Sequence, residues 1–257
     1  MNDQVAPPNG LPLLQADGLI KRFADGTLAV DRVDVALARG SFVSLVGPSG
    51  CGKSTILRLI AGLERPSAGR LVWPGGRPDE IGFVFQDATL MPWARAVDNV
   101  YLPLKLAGVS RRAAMPKVEA ALDLVGLGDR GEALPSELSG GMRMRVSIAR
   151  ALATDAPLLL MDEPFAALDE FTREKLDEDL LRLWLEKGLT VLFVTHSIYE
   201  AVYLSERVAV MGRGRKGLIA DIAIDEPYPR DGAFRESAAY LEYCRQVSKA
   251  LREGIQP

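Results

Sequence analysis

Gly47-Pro48-Ser49-Gly50-Cys51-Gly52-Lys53-Ser54-Thr55 is the stretch on which the fold turns. Its spacing is G-x-x-x-x-G-K-S. The run before it, Ser41-Phe42-Val43-Ser44-Leu45-Val46, is short, β-branched and aromatic, which reads as a buried strand. Behind it, Thr55 to Leu63 repeats apolar residues at helical spacing. Strand, glycine-rich turn and helix in this order form a phosphate-binding loop. The glycines let backbone N–H groups turn inward around an anion, and the helix N-terminus adds partial positive charge. Lys53 is placed to reach the outer phosphates, and the Ser54 hydroxyl to ligate Mg²⁺. Cys51 is either a thiol activated by the helix N-terminus or a small inert filler.

Composition narrows the class. The chain has 257 residues, with 48% hydrophobic and 25% charged, as in globular proteins. A net charge of -3 argues against broad binding to nucleic acid. No apolar run approaches the 18 residues of a membrane span. Met1 to Gly10 has neither a basic region nor an apolar core, so it reads as a short disordered lead-in rather than a signal peptide. Two cysteines, Cys51 and Cys244, make no disulfide framework, which points to a soluble cytosolic chain.

Outward from the loop, Leu13 to Phe23 and Leu28 to Leu37 alternate as strands about a turn at Asp25-Gly26. A phase slip near Arg32 predicts a bulge or a break. Phe23 is either a strand-end core residue or a ring that stacks on an adenine. Pro66 to Gly69 reads as a turn, Arg70 to Trp73 as a strand, and Ile81 to Phe85 as a strand ending in Gln86. From about 88 to 152 the pattern becomes helical, with helices at 97–107 and 110–125. Pro116 suggests that the second starts later than its candidate cap, Ser110. Leu138-Ser139-Gly140-Gly141-Met142 opens a helix over 143–153 and is a second anion-binding candidate, or an ordinary capped turn.

The apolar strand Pro157 to Met161 ends in Asp162-Glu163, where α/β sheets bind ligands. Asp162 is placed to hold Mg²⁺ and Glu163 to polarise an attacking water. Ala166 to Asp169 links into a long helix with a stripe of Leu176, Leu180, Leu183 and Trp184. A further strand, Leu189 to Val194, ends in Thr195-His196, the only histidine of the chain. Its position at a strand end, rather than its type, makes it a functional candidate. A hairpin over 207–211 and 218–222, about the solvated basic turn 212–217, and one final helix over 234–251 complete the chain.

Together these residues resemble the ATP-binding cassette (ABC) transporter ATPases, over nearly the whole chain. Gly47 to Ser54 matches Walker A, Gln86 the Q-loop, and Leu138 to Met142 the LSGGQ signature. Leu158 to Glu163 is similar to Walker B, Ala167-Leu168-Asp169 to the D-loop, His196 to the H-loop and Phe23 to the aromatic A-loop. Met142 replaces the last glutamine of the signature, Phe23 the commoner Tyr, and Ala166 the usual Ser or Gly.

The resemblance implies a single α/β domain, 1–257. It has a P-loop NTPase (RecA-like) core, an antiparallel β subdomain, an inserted helical signature subdomain near 88–152 and a C-terminal helical extension near 225–257. It also implies ATP and Mg²⁺ as cofactors. Phe23, Gly47, Pro48, Ser49, Gly50, Cys51, Gly52, Lys53, Ser54, Thr55, Gln86, Ser139, Gly140, Gly141 and Asp162 would bind them, with Ser54, Gln86 and Asp162 at the metal and Glu163 and His196 in catalysis. Two copies would pair head to tail, each Walker A facing the other's signature. They would work at the cytoplasmic side of the inner membrane with permease subunits and, indirectly, an extracytoplasmic solute-binding protein. Phe85 to Trp93 and Val97-Asp98-Asn99-Val100 look like the importer branch for nitrate, sulfonates and taurine. Importers of pyrimidine vitamin precursors share the pattern, and a soluble regulatory cassette is the other alternative.

Rival classes lack their marks. A GTPase needs Asn/Thr-Lys-x-Asp, and none of Asn2, Asn9 and Asn99 begins it. A small-molecule kinase needs neither the signature nor His196. A chromosome-organising ATPase carries long heptad arms between Walker A and signature, and this chain shows no sustained heptads there.

Overall fold

The computed structural model describes residues 11–212 and 217–254. The elements run β1 (Leu14–Arg22), β2 (Leu28–Leu37), β3 (Phe42–Val46), α1 (Lys53–Ala61), β4 (Ala68–Val72), β5 (Gly82–Val84), α2 (Ala96–Leu106), α3 (Arg111–Leu124), α4 (Gly140–Leu152), β6 (Leu158–Asp162), α5 (Glu170–Lys187), β7 (Thr190–Thr195), α6 (Ile198–Leu204), β8 (Arg207–Met211), β9 (Leu218–Ala223), α7 (Gly232–Glu236) and α8 (Ala238–Glu253). They divide into two compact units: Met1–Arg77 with Gly188–Pro257, and Pro78–Lys187. The lead-in at 1–10 and residues 213–216 of the basic turn lie outside the described residues.

In the first unit, β1 pairs antiparallel with β2 and β4. The expected phase slip is a bulge. Leu19 faces Val33 and Lys21 faces Val30, so β2 carries one extra residue there, with Arg32 at φ 48. β4 begins two residues before the expected strand. Gly69, which reads as a turn residue, lies inside it at φ +77, where an added Cβ would sit 2.2 Å from the Gly18 carbonyl oxygen. Only glycine permits that approach of β4 to β1.

The parallel strands β7, β3 and β8 make the buried layer of this unit. Val46 is in register with Thr195 on one side and Val210 on the other, and β9 returns antiparallel along β8. Every residue of β3 and β7 is buried, as in parallel strands covered on both faces. α1 buries Ile56, Leu57, Leu59 and Ile60 and stops at Gly62, φ 76, whose N–H donates to the Leu59 carbonyl at 3.1 Å.

The single C-terminal helix expected over 234–251 is two helices. Ser237 is extended (φ -74, ψ 152) and accepts from the Tyr240 N–H at 3.1 Å, so it caps α8 and ends α7. Before them, Arg230 is 5% exposed. Its guanidinium donates to the carbonyls of Val202, Tyr203 and Ser205 at the end of α6, and to those of Ile224 and Glu226.

In the second unit, β5 and β6 are parallel, with Val84 opposite Met161. α3 starts at Arg111 and holds Pro116 in its interior, so the later start expected from the proline does not occur. Pro116 and Arg112 are both exposed, which leaves the Arg112 carbonyl to water. Asn99 is fully buried in α2. Its amide accepts from the Met91 N–H at 2.7 Å and donates to the Ala94 and Arg95 carbonyls, tying residues 91–95 to the helix. α5 buries the expected stripe, Leu176, Leu180, Leu183 and Trp184.

Candidate nucleotide site

The phosphate-binding loop leaves the carboxyl end of β3. Gly50 and Gly52 take φ of 78 and 108, the region that turns N–H groups inward and that side chains disfavour. A Cβ on Gly52 would lie 2.2 Å from the Ala29 oxygen, and one on Gly47 2.8 Å from the Met211 oxygen. Glycine is therefore required by enclosure as well as by backbone conformation. Lys53 is 5% exposed, and its ammonium donates to the Gly47 and Pro48 carbonyls at 2.8 and 3.3 Å. It lies across the loop's mouth, the posture from which a cation meets an entering phosphate. Cys51 is fully buried, with its sulfur 2.7 Å from where a Gly47 Cβ would sit. It packs the underside of the loop, which favours the filler reading.

The same unit brings Thr195-His196 to this edge, because Val46 and Thr195 are registered neighbours at the ends of β3 and β7. Thr195 is buried, and its hydroxyl accepts from the Ser197 N–H at 2.9 Å and donates to the Glu200 carboxylate. Phe23 stands at the β1 turn, partly exposed, with its N–H on the Thr27 carbonyl at 2.9 Å. The Lys21 ammonium lies 5.1 Å from its ring centroid and pairs with Glu64 at 2.8 Å. One face of that ring is thus occupied by a cation.

In the second unit, the registered ends of β5 and β6 bring Gln86 and Asp162-Glu163 to one edge. Asp162 is 8% exposed. Glu163 sits at φ 47, a left-handed conformation that is strained for any side chain and is concentrated at functional positions. Ser139 caps α4, accepting from the Met142 N–H at 3.3 Å. Ser139 and Gly140 are exposed, and Gly141 is buried against Thr172, to whose methyl an added Cβ would approach 2.7 Å. Asp169 accepts from the Thr172 N–H at 3.0 Å and its hydroxyl at 2.8 Å. These bonds, the backbone one first, hold its carboxyl below the usual range.

The donor set suits the expected ligands. The glycine nest and Lys53 offer N–H groups and a cation to phosphate. Ser54, Gln86 and Asp162 offer a hydroxyl, an amide oxygen and a carboxylate, hard oxygen donors of the kind Mg²⁺ takes. Ser54 belongs to the first unit, Gln86 and Asp162 to the second. Among the described residues, no cluster of three or more His, Cys, Asp or Glu forms a metal cage.

Sequence reasoning missed two residues. Arg150 of α4 donates to the carbonyls of Ala88 and Thr89 and to the Thr89 hydroxyl, each at 2.9 Å, tying the segment after Gln86 to the helix that Ser139 caps. Burial lowers its pKa. Nothing local marked it. Glu200 was visible as the last member of Ser197-x-x-Glu200, a helix-start pattern.

Comparison with known proteins agrees with this geometry. A family model described as "ABC transporter" matches residues 30–166. An uncharacterized ABC transporter ATP-binding protein of Methanocaldococcus jannaschii is 42% identical over 250 residues, covering 94% of this chain and 92% of its own. An aliphatic sulfonates import ATP-binding protein of Xanthomonas axonopodis pv. citri is 44% identical, covering 88% and 75%. Among solved structures, a dimeric ATP-binding cassette in a post-hydrolysis state with ADP and Pi aligns at TM-score 0.74 and 32% identity, over 83% of this chain and 100% of its own. The structure of cbiO1 from Clostridium perfringens, described as part of the ABC transporter complex cbiONQ, aligns at TM-score 0.77 and 25% identity, over 93% of this chain and 99% of its own. With its phosphate loop, strand-end carboxylates and histidine, the chain belongs to the ABC transporter family and is an ATP-binding, ATP-hydrolysing member of it.

Proposed function

We propose that this chain energises a membrane importer of a small anion of the sulfonate type. Two copies pair head to tail, so that the phosphate loop of one and the Ser139 turn of the other hold one ATP. Lys53 and the N–H groups of residues 47–55 bind the outer phosphates, and Phe23 stacks on the adenine. Ser54, Asp162 and Gln86 would hold Mg²⁺, which would supply positive charge against the phosphates. Glu163 orients and deprotonates the attacking water, and His196 contacts the γ-phosphate. These residues act by positioning and charge stabilisation. The helical block near 88–152 carries closure to permease subunits at the cytoplasmic face, and a solute-binding protein delivers the anion from outside.

The observation that carries the hydrolytic part is the registered pairing of β3 with β7, which sets the loop and His196 at one strand edge. The direction and substrate class rest on the relatives named for aliphatic sulfonate import, at 44% identity. The test uses the assembled complex with its permease and binding protein. Sulfonates are expected to stimulate ATP hydrolysis. Stimulation by a pyrimidine precursor instead, or by no solute, overturns the substrate reading.

A further inference from the structure

We propose that Glu200 is a positioning residue for His196 and acts through Thr195. Glu200 is 5% exposed, in the first turn of α6. A hydroxyl has one proton to donate and lone pairs to accept with. The Thr195 hydroxyl gives its proton to the Glu200 carboxylate and accepts the Ser197 N–H at 2.9 Å. The residues on either side of His196 are thereby joined to each other and to α6. The Ser197 hydroxyl accepts the Glu200 N–H at 3.3 Å and closes the ring of bonds.

In an ordinary capping box the Glu side chain would bond the N–H of its own cap residue. Here the Ser197 N–H is engaged by Thr195, and the Glu200 carboxylate is directed to the residue before His196 instead. α6 has little freedom to absorb the loss of this arrangement. Arg230 binds the carbonyls at its far end, and the Tyr240 hydroxyl donates to the Tyr199 carbonyl at 3.0 Å. A buried carboxylate fixes the turn, and with it the backbone from which the exposed His196 side chain projects.

The kinetic part of the test rests on the assignment of His196 to hydrolysis made above. The spectroscopic part does not. His196 is the only histidine, so its imidazole gives a single set of ring NMR signals in the full chain. Glu200→Ala is expected to shift those signals and to lower kcat about 10- to 100-fold, the scale of a misplaced reacting group. The KM for ATP stays near that of the unchanged chain. Thr195→Val, nearly isosteric, gives the same result if Glu200→Ala folds poorly. Thr195→Ser and Glu200→Gln, which keep the hydroxyl and its acceptor, restore both readouts. In a His196→Ala background, Glu200→Ala costs nothing further. Unshifted imidazole signals, or equal losses with and without His196, overturn the proposal. Shifted signals with an unchanged rate support the positioning and overturn the role given to His196.

Discussion

The glycine-bearing turns that open α1 and α4 are built differently. At 47–55 the glycines are forced by backbone conformation, with φ of 78 and 108 at Gly50 and Gly52, and the turn is enclosed by Ala29 and Met211. Lys53 lies over it, buried. At 139–142 no glycine takes a positive φ. Ser139 caps the helix with its own hydroxyl, Gly141 makes room for Thr172, and Gly140 faces outward with its nearest other atom 3.6 Å from an added Cβ. The first turn offers inward-turned backbone and a buried cation, all from its own unit. The second leaves Ser139 and Gly140 exposed. The head-to-tail pairing proposed above would use one turn of each kind.

Substitutions test this contrast. The largest effect is expected at Lys53. Lys53→Ala removes the buried cation, and ATP turnover measured by phosphate release falls by roughly 10²–10³, the scale of losing one preorganised charge-stabilising donor. Turnover within a few-fold of normal breaks the first half of the contrast. Gly52→Ala comes next. It adds strain at φ 108 and a clash with Ala29, so the chain loses about 3 kcal/mol in denaturant titrations and binds ATP weakly. Gly141→Ala is milder, at about 1–3 kcal/mol for overpacking, because Thr172 cannot rotate away without breaking its bond to Asp169. Gly140→Ala is the smallest. At a helix position with space it leaves stability unchanged or raises it by about 0.5 kcal/mol, measured by thermal melts. A loss at Gly140 as large as that at Gly52 erases the difference between the turns.

The same contrast explains what was readable before the structure. The strand, loop and helix at 41–61 and the strand that ends in Asp162-Glu163 carry their signals in contiguous residues. Apolar runs, forced glycines and strand-end polar residues mark them locally. His196 was singled out by position, as the residue after a buried strand. The break at Ser237 was missed because the apolar period of 240, 243, 247 and 251 lies wholly beyond it, and the cap that separates Phe234 from that period acts through one backbone bond. Gly69 was read as a turn, since nothing nearby in sequence announces that Gly18 passes within contact of it. Arg230 and Arg150 hold backbone carbonyls, and a carbonyl is the same at every residue. Glu200 lay in a recognisable helix-start pattern, but its true acceptor role depends on a threonine that belongs to the preceding strand.

The central claim is that each ATP lies between the phosphate loop of one copy and the Ser139 turn of another. Sedimentation of the Glu163→Gln chain with ATP tests it most directly, because binding is kept while hydrolysis slows by roughly 10²–10⁴. The account predicts a dimer that forms only with ATP, and predicts that adding Ser139→Arg abolishes the dimer while ATP still binds. A Glu163→Gln chain that binds ATP and stays monomeric, or a Ser139→Arg form that dimerises equally well, contradicts it.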